Sequence, residues 1–112
     1  MLVTDYFEVE KCIRNGIQPD NPPLLKTYIE MTQGLVEQQP NNMAKRQVLE
    51  NAMYLLLETI CDTYIAQHWR RGCVDNMSKL QLCLERHCQS EHDKIENLRF
   101  RNQFVALAQY FL

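Results

Sequence analysis

The sequence predicts an all-α fold, a small bundle of four to five helices, on three observations. Val, Ile and Thr nowhere alternate with polar residues at the period of two that a half-buried strand requires. Leu, Glu, Gln, Met and Arg, all good helix formers, fill the long stretches. The three glycines and four prolines mostly stand between those stretches, as punctuation. A chain of 112 residues reads as one domain, 1–112, large enough to build a modest core without disulfides or metal.

A first helix is expected from about Thr4, a candidate N-cap, to Asn15, with Gly16 as the left-handed stop. Leu2, Tyr6, Val9 and Ile13 recur at helical spacing and share one face. Residues 18–23 contain three prolines and cannot continue a helix; Asn21 offers an N-cap and the prolines suit the first turn that follows. The second helix then covers about residues 22–38, with Leu25, Tyr28, Ile29, Thr32, Leu35 and Val36 inward. Gly34 within it either costs on the order of 1 kcal/mol relative to Ala or lets a neighbouring helix come close.

After the break at residues 39–42, the third helix, about 43–71, is expected to form the centre. Val48, Leu49, Ala52, Met53, Leu56, Leu57, Ile60 and Tyr64 span an apolar sector of roughly 180° at 100° per residue. A sector that wide must meet several neighbours at once. Tyr54, Ile65 and Trp69 fall on or near its polar side, and Arg70-Arg71-Gly72 supplies basic residues and a glycine stop.

From Asp75 or Asn76 as N-cap the helical pattern runs to Leu112, but its phase changes. Met77, Leu80, Leu84, Cys88, Ile95 and Leu98 define one stripe; Phe100, Phe104, Leu107 and Phe111 define another, displaced by roughly 90° or more. Either the chain turns near Ser90, whose spacing to Asp93 suits a capping box, or one long helix buries different faces along its length and a second chain covers the later one. No heptad repeat is sustained long enough for a free-standing coiled coil.

Twelve basic against fourteen acidic residues give a net charge of −2, too balanced to indicate nucleic acid or an anionic membrane by bulk charge. Five cysteines, an odd number, and an opening stretch without basic and apolar leader regions are the pattern of a reduced, cytoplasmic protein. The apolar run at residues 104–112 is about half of what a bilayer span needs, so no membrane partner is expected.

Candidate chemistry is sparse. Cys83/His87 and Cys88/His92 each have helical metal-ligand spacing, but on a continuous helix the two pairs point about 140° apart, so no metal or other cofactor is expected. Arg86 and His92 loosely resemble the arginine-then-histidine spacing of HEPN-type helical ribonucleases, without the other parts of an RNA-cleaving site. Nucleophile elbows, phosphate-cradling glycine loops and zincin motifs are absent. Arg70, Arg71, Arg99 and Arg101 are the residues a nucleic-acid-binding reading would use.

The expected function is therefore non-enzymatic: a protein-binding module, as regulator, adaptor or chaperone, forming a homodimer through its C-terminal helix. Phe100, Phe104, Leu107 and Phe111 are its expected anchors and Trp69 a second spot, since clustered aromatic residues mark binding surfaces. The competing expectation is that the first two helices cover those residues internally.

Overall fold

The computed structural model describes residues 3–112, with side chains from Asp5 onward. It has five helices: α1 Val3–Arg14, α2 Pro23–Glu37, α3 Asn42–Ile60, α4 Gln67–Arg86 and α5 Glu91–Phe111. The described residues contain no strand, and the all-α bundle is the expected one. Leu49, Ala52, Met53, Leu56 and Ile60 of α3 are fully buried, and α3 touches all four other helices. α5 packs on α3 and α4 alone among the described helices. The Cα atoms fill a slab of 38 × 35 × 15 Å. At interaxial spacings of about 8–10 Å that thickness holds two helix layers, so peripheral helices keep one side in solvent.

Helix ends follow local chemistry. α1 already includes Val3 and Thr4, so Thr4 is not its cap, and Leu2 lies outside the described residues. Gly16 follows α1 with φ +57°, the left-handed conformation anticipated. Pro22 rather than Asn21 takes the N-cap position of α2; Asn21 uses its side chain on Gln18. Asn41 caps α3 by accepting from the Ala44 N–H at 2.9 Å.

The largest departure from expectation is the end of the central helix, at Ile60 instead of Arg71. Asp62 competes with the helix for its own backbone: its carboxylate accepts the Tyr64 N–H at 3.1 Å and holds Arg14 of α1 at 2.9 Å. Ile65 then turns inward against Gly16, where a Cβ would come within 2.6 Å of its Cγ2. Tyr64, expected on the buried stripe, is fully exposed as a consequence. Gly72, Asp75 and Asn76 lie inside α4 rather than at a helix boundary. Gly72 admits Leu25 of α2, whose Cδ1 would stand 2.9 Å from an added Cβ.

Of the two arrangements open for the C-terminal third, the chain adopts the turn. Ser90 caps α5, accepting from the Asp93 N–H at 3.1 Å, and the Asp93 carboxylate answers on the Ser90 N–H. Arg46 of α3 clasps this turn through Asp93 and through the His87 carbonyl at 3.3 Å. At its other end α5 is tied by Arg70, a buried guanidinium that donates to the carbonyls of Ile60, Ile65 and Phe111 at 3.1, 3.0 and 2.9 Å. The Ile60 and Phe111 carbonyls belong to the last turns of α3 and α5, so one cation sits at the negative ends of two helix dipoles. α3 and α5 consequently run side by side in the same direction, with α4 antiparallel beneath them.

Candidate protein-binding surfaces

The residues expected to anchor a partner are largely engaged within the chain. Trp69 is 1% exposed and its Nε1 donates to the Ile13 carbonyl at 3.0 Å, so it is a core residue joining α4 to α1, not a surface spot. Phe100 is 9% exposed and meets Tyr54 of α3 edge to face at 5.0 Å. Phe104 and Leu107 are half-buried against the core, and Phe111 is half-buried beside Tyr110. Phe100, Phe104 and Leu107 define the inward face of α5, while the ring contact of Phe111 is with its neighbour Tyr110. The reason is the turn at Ser90, which resets the helical phase so that the aromatic stripe falls on α3 and α4.

The same turn rotates another set of residues outward. Ile95 and Leu98, which a helix unbroken through residue 89 would bury, are 50% and 54% exposed, and Val105 is 44% exposed. With Asn102 and Gln109, both exposed, they recur at alternating spacings of three and four over residues 95–109, and Leu112, next in that spacing, packs against the core instead. That spacing is the a/d seam of a two-stranded coil: Ile, Asn and Gln at a, Leu and Val at d. Flanking it are charged residues in exposed ion pairs, Lys94 with Glu91 at 3.6 Å and Arg99 with Glu96 at 3.1 Å. An apolar centre with a charged rim is the anatomy of a protein interface. The 3–4 spacing was present in the sequence, but it became readable only once the inward face was known.

A second concave feature opens where α3 and α5 diverge over the end of α4. The groove has a volume of about 380 Å³. Met43, Gln47, Glu50 and Tyr54 line the α3 side, His92, Glu96, Asn97 and Phe100 the α5 side, and Leu84 and Cys88 the floor. Its N-terminal end is closed by the Arg46–Asp93 pair. Partial burial works against the Asp93 carboxylate, but the Ser90 and Gln89 N–H groups and the Arg46 charge outweigh it and hold its pKa below the usual range. Glu50 is pushed the other way: burial raises its pKa, Arg46 offsets part of this, and the Asp93 and Glu96 charges add to it. No sequence signal joins these residues, because each wall comes from a separate element.

The reactive side chains are quiet. All five cysteines are free thiols. Burial alone pushes Cys73 up to about 12, and burial raises Cys61, Cys83 and Cys88 as well, the opposite of an activated thiolate. Among the described residues, no group of three His, Cys, Asp or Glu side chains could hold a metal ion. Cys88 donates to the Leu84 carbonyl at 3.3 Å and His87 caps α4 beside Asn42. Arg86 ends α4 and does not line the groove that His92 enters. Of the four arginines a nucleic-acid reading would need, Arg70 is buried and Arg99 is paired. No described helix is long and apolar enough to cross a membrane.

Comparison with known protein families, with curated proteins and with solved structures finds no match to this chain.

Proposed function

We propose that the protein is a non-enzymatic protein-binding module that works as a homodimer, joined through the outer face of α5. The observation that carries this reading is the exposed seam Ile95–Leu98–Asn102–Val105 on a helix whose other face is already docked. Ile at a and Leu at d favour two strands, and a single polar Asn at an a position sets register by pairing with its counterpart. A parallel pair places Asn102 against Asn102 of a second copy, the isologous contact of a two-fold dimer. Because α5 is already docked on α3 and α4, a seam of about two heptads needs no free-standing stability. The raised thiols speak against an activated cysteine nucleophile, and the five free thiols support a reducing, cytoplasmic setting.

Sedimentation velocity on the wild type and Leu98→Glu tests it. The wild type is expected to sediment as twice its 13.3 kDa mass at micromolar concentration. Leu98→Glu, which buries an unpaired charge in the seam, is expected to weaken the dimer about a hundredfold, or roughly 2.7 kcal/mol, with helicity and melting temperature of the protomer retained. A wild type that stays monomeric at hundreds of micromolar removes the reading.

A further inference from the structure

We infer that the groove between α3 and α5 is a second binding site, which takes an arginine side chain presented with a neighbouring apolar residue by a partner protein. The inference rests on the reading of this chain as a protein-binding module, but not on its being a dimer. It stands on shape and charge together. The space, about 380 Å³, holds one long side chain and part of a second. At its cationic end Arg46 and the N–H groups at the start of α5 contact Asp93, leaving Glu50 only the longer-range pull of the Arg46 charge. Farther along α3, Glu50 lines the groove together with Met43 and Tyr54, and Glu96 of α5 lines it near enough for its charge to act on Glu50. No hydrogen bond or ion pair among the described residues engages the Glu50 carboxylate, although it is half-buried. Among the described residues Glu96 is bound by Arg99 alone, in an exposed pair of the kind that is easily exchanged.

What the groove lacks is therefore a cation, and one suited to a partly apolar place. A guanidinium fits better than an ammonium: it is weakly hydrated, forks onto carboxylates and stacks against aromatic rings. The Tyr54 ring, 47% exposed and fixed edge to face by Phe100, supplies that surface, and Met43, largely exposed at the rim, supplies a contact for the neighbouring apolar residue. A solvated surface carboxylate would have its field screened by water; half-burial with the Glu96 carboxylate nearby keeps this one attractive to a positive charge. An anionic or neutral segment gains nothing here.

The test is a titration of isotope-labelled full-length protein, followed by amide chemical shifts, with a short acetylated peptide carrying one arginine between leucines. Saturable shifts are expected at the amides of residues 43–54 and 92–100. The same peptide with glutamine in place of arginine should bind at least tenfold more weakly. Glu50→Gln should lose about tenfold in affinity for the arginine peptide while the melting temperature holds or rises, which separates lost binding from lost folding. Absence of saturable shifts at millimolar peptide overturns the inference, as does equal binding of the glutamine peptide or unchanged affinity in Glu50→Gln. Shifts confined to residues 95, 98, 102 and 105 also overturn it, placing the peptide on the seam. A dimer that ignores the peptide leaves the protein-binding reading intact and rejects the groove alone.

Discussion

Single residues decide several boundaries of this fold, and two glycines show opposite sides of the same chemistry. Gly16 combines a φ of +57° with a path blocked by Ile65, so Gly16→Ala adds backbone strain to a clash and should destabilise by roughly 2 kcal/mol or more. Gly34 is exposed within α2, with nothing within 4 Å of an added Cβ. Of the two roles the sequence left open for it, the close approach is therefore excluded. Gly34→Ala should stabilise by about 1 kcal/mol, and chemical denaturation of the two variants beside the wild type measures both signs. Gly16 as a helix stop was legible from sequence because the left-handed turn is a local property. The burial of Trp69 was not, because its hydrogen-bond partner, the Ile13 carbonyl, lies 56 positions away.

Elements are held in place by a few long-range polar ties. Arg70 joins the ends of α3 and α5, and losing it leaves three carbonyls without a donor. Arg70→Met should cost on the order of 3 kcal/mol, by the usual range for hydrogen bonds to charged groups. It should also raise amide exchange in the last two turns of α5 before any other helix. Asp62 and Asp93 tie the α3–α4 and α4–α5 turns to Arg14 and Arg46. The hydrogen bond from Arg14 is the main reason that the Asp62 carboxyl titrates below its usual range, and Asp93 is lowered as well. The unfolded chain therefore binds more protons than the folded one in acid. The stability these carboxylates contribute is complete above about pH 4 and drains away as pH falls through their lowered values. Melting temperature against pH should show that decline, and a double Asp62→Asn, Asp93→Asn variant should flatten it. Glu50 acts with the opposite sign: its raised pKa means that its charge opposes folding at neutral pH, and protonation relieves it. The capping box at Ser90 was readable from the spacing of two residues. The stop at Ile60 was not, since Asp62 ends α3 only because Arg14 and Gly16 stand where α1 puts them.

At the scale of the whole molecule, a slab two helices thick gives α5 one inner and one outer face. Helix periodicity identified the bundle and the aromatic stripe of α5, and it left the stripe with two possible covers, the chain itself or a second copy. The turn at Ser90 assigns Phe100, Phe104 and Leu107 to the chain's own core. The question of a partner moves about half a turn around the helix, to Ile95, Leu98, Asn102 and Val105. α5 is thus expected to be a shared element, docked inside and paired outside. The most direct measurement is amide hydrogen exchange at low and high micromolar protein, resolved along α5. Protection across residues 95–109 should rise with concentration while α1 to α4 stay unchanged; exchange in α5 that is independent of concentration contradicts the account.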